Sequence, residues 1–462
     1  MSGRCQLAVI GAGPAGLAAA TVAAELGVDV AVFDEQPGPG GRIYESAERS
    51  PLADTKVLGA EYGRGAGLAA EFRASGAAYH PDSEIWLITP EREVGVLAGD
   101  ALRFVQAERV LIASGAMERA VPFPGWTLPG VMTAGAGQIL LKSAGIVPDD
   151  GVVLAGSGPL LPLLACQYLR LGVTVKAMLD TTPVLNYARA LKHLPRAFLA
   201  GDYISKGLAM KREVAAAKIP VTGRVETLRA IGTDRLEAVE YTVGGKSRTI
   251  ETGLLLVHFG LVPNTILADA AGCRRVWDDQ RSFWRPWSDG WGNTDMEGIA
   301  VAGDGSAIGG ALAAERAGRI VALEVARALG FIDEAERDRR AVTEREALTR
   351  DLGARPFLDA LFQVPRPTLA DDTIVCRCEE VTAGDIRKAV AEGCVGPNQV
   401  KAATRCGMGP CQARQCGTTV PLVTAEALKR PVAEIGALRA RPPVKPVTLA
   451  QLAALGDDGG MS

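Results

Sequence analysis

Six of the nine cysteines in this 462-residue chain fall between Cys376 and Cys416, as Cys376-Arg-Cys378, a gap of 27 residues, then Cys406-Gly-Met-Gly-Pro-Cys411. Thiolates ligate iron–sulfur clusters and structural zinc, and Cys376, Cys378, Cys406 and Cys411 brought together suit either. Zinc sites usually show C-x2–4-C pairs, whereas one pair here is C-x-C and the other C-x4-C. The module holds no histidine, so Rieske ligation is excluded. The chemistry favours a [2Fe–2S] cluster and leaves zinc open. Cys394 and Cys416 are left over, and Cys416, five residues past Cys411, is a competing ligand.

A second set of residues sits at the amino end. The apolar run Gln6–Ile10 predicts a strand, followed by Gly11-Ala-Gly13-Pro14-Ala15-Gly16, a helix-forming run to Leu26, and a strand over Val28–Phe33 ending at Asp34-Glu35. Gly11 permits a tight turn, Gly13 lets backbone approach a pyrophosphate, and Gly16 lets the helix pack closely on the strand. The helix N-terminus offers N–H groups and partial positive charge to phosphates. Asp34 follows at the distance where a carboxylate takes ribose hydroxyls. A dinucleotide bound here would give the thiol module an electron-carrying neighbour.

The frame for these sites is a multidomain α/β chain. Its length predicts two or three domains, and 54 glycines with only 5% aromatics suit packed α/β layers. A net charge of −3 gives nucleic acid no electrostatic footing. The uncharged stretches Ala120–Leu141 and Gly151–Leu169 are near membrane-spanning length, but their prolines and glycines predict strand-turn-helix segments. The run from Met1 into the first strand shows no secretory leader. The expectation is a cytoplasmic protein with reduced thiols and no transmembrane segment, tied to the inner membrane only through an electron acceptor.

A second strand-turn-helix begins at Val152, with Gly156-Ser-Gly158-Pro-Leu-Leu161 and a strand over Val173–Leu179. Leu161 stands where a third glycine would sit, which favours a unit kept for structure over NAD(P) binding. Cys166 and Cys273 stand apart in apolar surroundings as packing residues, so no redox pair is expected beside the first site. His258, inside an apolar strand, reads as a satisfied core residue, and no catalytic residue is assigned. The charged run Glu334–Leu352 reads as a solvated helix and linker. In the thiol module a helix is expected from Thr382, capped by Asp385.

Further segments carry a resemblance. Gly40-Gly41-Arg42, Val110-Leu-Ile-Ala-Ser114-Gly115 and Gly298-Ile-Ala-Val-Ala-Gly303-Asp304 resemble the two-dinucleotide-binding-domain flavoproteins. That resemblance implies FAD at the first site, Asp304 on its ribityl chain, and a helix from about Ala307 aimed at the isoalloxazine. Cys376 to Thr382 and Thr404 to Gln412 are similar to the [2Fe–2S] domain of bacterioferritin-associated ferredoxin, which implies the four-cysteine ligand set above. With Val121–Gly135, Phe259–Asn264 and Val444–Leu449, nearly the whole chain resembles the A, or alpha, subunits of heteromeric amino-acid dehydrogenases: opine oxidases, the second subunit of hydrogen cyanide synthase, D-hydroxyproline dehydrogenases and the alpha chain of sarcosine oxidase.

The resemblance implies an α/β fold of two Rossmann-like domains, the second inserted in the first, plus a small helical [2Fe–2S] domain. The expected boundaries are 1–118 and 266–333 for the FAD-binding domain and 119–265 for the inserted, degenerate NAD(P)-like domain. A linker over 334–371, the cluster domain over 372–430 and a tail over 431–462 follow. It further implies an oxidoreductase acting on CH–NH donors within a complex. A D-amino-acid-oxidase-like beta subunit with its own FAD, joined by a small gamma subunit, oxidises the amine. This chain relays the electrons through interface FMN, the cluster and its FAD to a quinone or similar acceptor. Lys401, Thr404 and Arg405 are candidate grips for the FMN phosphate. The competing readings are a self-contained NAD(P)H-dependent flavin and iron–sulfur reductase, and a zinc-stapled scaffold.

Overall fold

The computed structural model describes residues 3–198, 201–366 and 368–457. Its first strand, Gly3–Ile10, pairs in parallel with Val30–Phe33 on one side and with Ala101–Ile112 on the other. Leu7 to Ile10 and Val30 to Phe33 are buried on both faces, as continuous apolar runs in a parallel sheet require. The helix Pro14–Glu25 between them starts on a proline, whose fixed φ suits a first turn, and buries an alanine-rich face. Ile299–Val301 returns late in the chain to pair with Val110–Ile112, completing a seven-stranded sheet. One domain is therefore built from two distant parts of the sequence.

Between them lies a second parallel sheet, in the order Val221–Thr222, Val175–Asp180, Val152–Gly156, Leu255–His258, Val131–Thr133. The two crossing points of the chain, Ala116–Glu118 and Leu261–Pro263, pair antiparallel with each other. The expected insertion of one dinucleotide-binding fold in another is the observed architecture.

Three expected features differ in detail. The charged run is the expected helix, Glu334–Asp351, but it packs against the preceding helix Ala311–Ala328. With Arg355–Leu361, which packs on Val184–Leu191, it puts two packed helices into the stretch expected as a linker. Buried Arg337 explains the difference: it bonds Glu324 at 2.8 Å and lies over the Trp291 ring, so charge here serves packing as well as solvation. The helix expected near Ala307 begins at Ala311, after a turn at Gly303–Gly305. Within the segment expected as a C-terminal tail, Leu438 and Val444 are buried. Among the described residues, no helix is long and apolar enough to cross a membrane.

A candidate flavin cavity and a thiol centre

The glycine turn after the first strand opens on a cavity of about 780 Å³ that Gly11, Gly13, Pro14, Ala15, Asp34, Glu35, Gly41, Arg42, Ser114, Gly115 and Asp304 line. Gly16 and Gly303 sit behind this wall. A Cβ on Gly16 would lie 1.8 Å from the Gly11 carbonyl oxygen, and one on Gly303 would lie 2.7 Å from the Ala15 side chain. Gly16 thus lets the helix close on the strand, while a Cβ on Gly13 would meet only Gly41 Cα at 3.8 Å. The space above Gly13 is free for a ligand.

Asp34 is buried and holds the turn: its carboxylate accepts the N–H of Ala12 and that of Gln36, the latter at 2.7 Å. Burial pushes this carboxyl up, and the two N–H groups oppose the shift. At the other end of the cavity, Asp304 accepts from Gly309 and Gly310 N–H at 2.7 and 2.9 Å, fixing the approach to the helix Ala311–Ala328. Ser114 Oγ donates to the Asn264 carbonyl at 2.7 Å, and the Gly115 carbonyl accepts the Asn264 N–H at 3.0 Å. These bonds tie the domain crossing to the cavity wall.

Open space above Gly13, the Asp34 carboxylate beside the glycine turn and a lining that reaches Asp304 fit FAD. Bound there, FAD would accept two electrons and release them singly. The cavity's lining includes no cysteine; Cys5, Cys166 and Cys273 are buried in core clusters.

Two positioning residues had no sequence signal. Buried Lys142 donates to the carbonyls of Ile43 (2.9 Å) and Arg42 (3.3 Å), anchoring the Gly40–Ile43 loop from 99 and 100 residues away. Desolvation lowers its amine from 10.5 to about 8. The native state then binds fewer protons than the unfolded chain between those values. Stability should rise as pH climbs from about 8 to 10.5, by up to roughly 3 kcal/mol. Chemical denaturation of a Lys142→Met chain should show that rise abolished relative to wild type.

Glu118 is the other. It accepts from Gly135 N–H at 2.7 Å and pairs with His258 Nδ1 at 2.6 Å, giving that core histidine its partner. The His258 ring packs against the second glycine turn, where a Cβ on Gly158 would lie 2.7 Å from its Cδ2. Leu161 is buried among Leu154 and Leu164.

The C-terminal module brings five thiols into one neighbourhood. Cys376, at the end of the strand Ile374–Cys376, lies with Cys406 and Cys416 so that the three Sγ atoms are within 4.8 Å of one another. Cys378 faces Cys411, with a hydrogen bond between their side chains. The four cysteines picked from sequence thus meet as two pairs. Cys416 joins the first because the turn Gly407–Cys416 folds it under Gly407, whose Cβ would come within 3.7 Å of its Sγ. Cys394 packs at the module's edge.

Hydrogen bonds from the Cys406 and Cys416 thiols hold Cys376 far below the ordinary thiol range, at about 2, and the Gly407 N–H adds a bond at 3.4 Å. Buried sulfur with a backbone N–H aimed at it suits a thiolate-ligated cluster, which would supply one-electron transfer. The expected cap is present: Thr382 and Asp385 form a reciprocal capping box on the helix Ala383–Ala391.

The three candidate phosphate grips each have a partner within the chain. Lys401 donates to the Arg439 carbonyl at 3.3 Å and Thr404 to the Val400 carbonyl at 2.7 Å, while exposed Arg405 pairs with Glu379 at 2.9 Å. The module docks on the inserted domain through Trp126 Nε1, which donates to the Ile374 carbonyl at 2.7 Å.

Comparison with known proteins agrees with this architecture. Residues 5–326 match the pyridine nucleotide-disulphide oxidoreductase family, and residues 371–456 match the sarcosine oxidase A3 domain. The opine oxidase A chain of Rhizobium meliloti is 42% identical over 459 residues, covering 97% of this chain and 87% of that protein. The HcnB chain of hydrogen cyanide synthase from Pseudomonas aeruginosa is 33% identical, covering 97% and 98%. The crystal structure of L-proline dehydrogenase from P. horikoshii shares the fold, with a TM-score of 0.73, 18% identity and coverage of 98% of this chain and 80% of that one. A glycine-turn flavin cavity with a sulfur-rich module packed against it, and this identity along nearly the whole chain, show that the protein belongs to the family of opine oxidase A subunits, on the pyridine nucleotide-disulphide oxidoreductase fold.

Proposed function

We propose that this chain is the electron-transfer subunit of a heteromeric, dye- or quinone-linked dehydrogenase of opines, hydroxyproline or related secondary amines. The observation that carries this reading is the convergence of five cysteines in a module docked on a flavin-type fold whose cavity lining holds no cysteine. Named relatives that are subunits of oxidases and synthases support a partner chain. In this reading a D-amino-acid-oxidase-like beta subunit, with a small gamma subunit, oxidises the amine, and FMN lies at the shared interface. Exposed Arg405 is the candidate cation for its phosphate. FAD and [2Fe–2S] are this chain's own carriers. Nine free thiols favour a reducing, cytoplasmic compartment, with the acceptor as the tie to the inner membrane.

The purified chain is expected to contain iron, acid-labile sulfide and FAD, and to leave every amine unoxidised until the beta subunit is added. Zinc without iron, or amine turnover by the chain alone, would sink this reading. A second reading, a self-contained NAD(P)H-dependent reductase, rests on the Gly158–Leu160 turn, which opens on the same cavity. The His258 ring beneath Gly158 and the buried bulk of Leu161 weigh against it. Stopped-flow mixing with NADH is expected to leave the flavin absorbance unchanged on the turnover timescale; rapid bleaching would favour the reductase.

A further inference from the structure

The flavin cavity is completed by residues outside both dinucleotide-binding domains. Arg414 lies between Cys411 and Cys416 and lines the cavity, as does Lys445 of the C-terminal segment. Lys445 Nζ donates to Glu35 at 2.5 Å and lies 3.7 Å from Glu84. Arg414 Nη1 donates to the Cys411 carbonyl at 3.2 Å and to the Val444 carbonyl at 3.1 Å, joining the cysteine turn to the segment that carries Lys445.

That segment is itself pinned at both ends. Leu438 packs in the same core cluster as Cys376, Cys406 and Cys416, and its carbonyl accepts from Arg275 at 2.8 Å. Six residues on, buried Val444 donates its N–H to the Trp86 carbonyl of the FAD-type domain at 2.9 Å. Thiol centre and cavity are therefore two ends of one short, packed path.

Electrostatics says why the cavity needs these cations. Asp34 and Glu35 line the cavity, Glu84 lies behind it within reach of Lys445, and a dinucleotide adds a charged pyrophosphate. From its own segment the fold offers Arg42, which pairs with Glu35 at 3.2 Å but also with Glu45 at 3.3 Å. Burial alone would raise the Glu35 carboxyl; Lys445, Arg42 and Arg414 hold it below the ordinary range. Half-buried like charges repel more strongly than they would in water, so removing a cation here weakens the hold on an anionic ligand.

We propose that Arg414 and Lys445 are FAD-binding residues supplied by the cysteine turn and the C-terminal segment it holds, and that FAD binding and cluster loading are thereby thermodynamically linked. This rests on the reading that the chain holds both groups. A cluster fixes the Cys411–Cys416 turn, the turn fixes Arg414, and Arg414 fixes the Val444–Lys445 segment. Linkage is reciprocal: whatever factor the cluster adds to FAD affinity, FAD adds to cluster retention.

The test uses the full-length chain, stripped of flavin and titrated with FAD by fluorescence, alongside iron and sulfide assays. Arg414→Ala should keep the wild-type iron and sulfide content yet bind FAD about 10-fold more weakly, within the usual range of coupling. Arg414→Lys should recover part of the loss. Cys376→Ser, which alters no residue lining the cavity, should weaken FAD binding by a similar factor. Added FAD should slow iron release from the wild-type chain to a chelator. An unchanged FAD constant in either Arg414→Ala or Cys376→Ser overturns the proposal. Should Arg414→Ala fail to fold, Lys445→Ala carries the same expectation, and an unchanged FAD constant in that chain overturns the proposal equally. A chain that never contains iron refutes the functional reading instead, and Arg414→Ala then still reports on the cavity alone.

Discussion

Gly13→Val is expected to give a folded chain that purifies without FAD. A Cβ at this position meets nothing in the protein closer than Gly41 Cα at 3.8 Å, so the added carbons intrude on the space where a pyrophosphate must lie. The effect falls on the ligand and spares the fold. FAD affinity should drop at least 100-fold, or about 2.7 kcal/mol, while thermal unfolding of the flavin-free protein stays close to that of flavin-free wild type. Gly16→Ala is the control with the opposite signature. Its Cβ would lie 1.8 Å from a backbone oxygen, so helix and strand must separate, and the flavin-free fold itself should lose stability, by about 1–3 kcal/mol as overpacked cores do. Equal destabilisation of both flavin-free variants would show that Gly13 serves packing and not a ligand.

Cys376→Ser is expected to remove iron, sulfide and the cluster's visible absorbance. Cys376 belongs to the ligand set read from the C-x-C and C-x4-C pairs and also to the buried group with Cys406 and Cys416, so neither choice of ligands spares it. Cys411→Ser and Cys416→Ser separate the two sets. Cys411 is half-buried beside exposed Cys378, whereas Cys416 is 1% exposed beside Cys376 and Cys406. Whichever variant retains full iron identifies the thiol that is not a ligand. A fully loaded Cys376→Ser chain would show that the Cys376 sulfur is not a required ligand.

What could be read along the chain was whatever depends on neighbours in sequence. The first glycine turn needs a strand before it, a helix after it and Asp34 on schedule, and all of these are local, so the cavity's floor was legible. The capping box at Thr382 and Asp385 is local for the same reason. The partner of His258 was not, because Glu118 lies 140 residues away and reaches it only when Ala116–Glu118 pairs with Leu261–Pro263, the strand just past the histidine. Lys142 was invisible on the same ground: a lysine in a helical run reads as a solvated face until the Gly40–Ile43 carbonyls are laid over it.

The cysteine types and their clustering were set by sequence alone, and with them the thiolate chemistry of the module. Which sulfurs share a neighbourhood was decided by the turn after Gly407, since spacing cannot say which way a turn folds. The charged run Glu334–Asp351 shows the same division. Its helicity is written in its composition, but its burial of Arg337 against Glu324 depends on the helix it meets. Arg414 and Lys445 depend on tertiary structure most fully. A basic residue between two cysteines and another near the C-terminus carry no motif, and only docking of the module on the flavin-type domain places them beside Glu35, because charge complementarity acts through space and leaves no period in the chain.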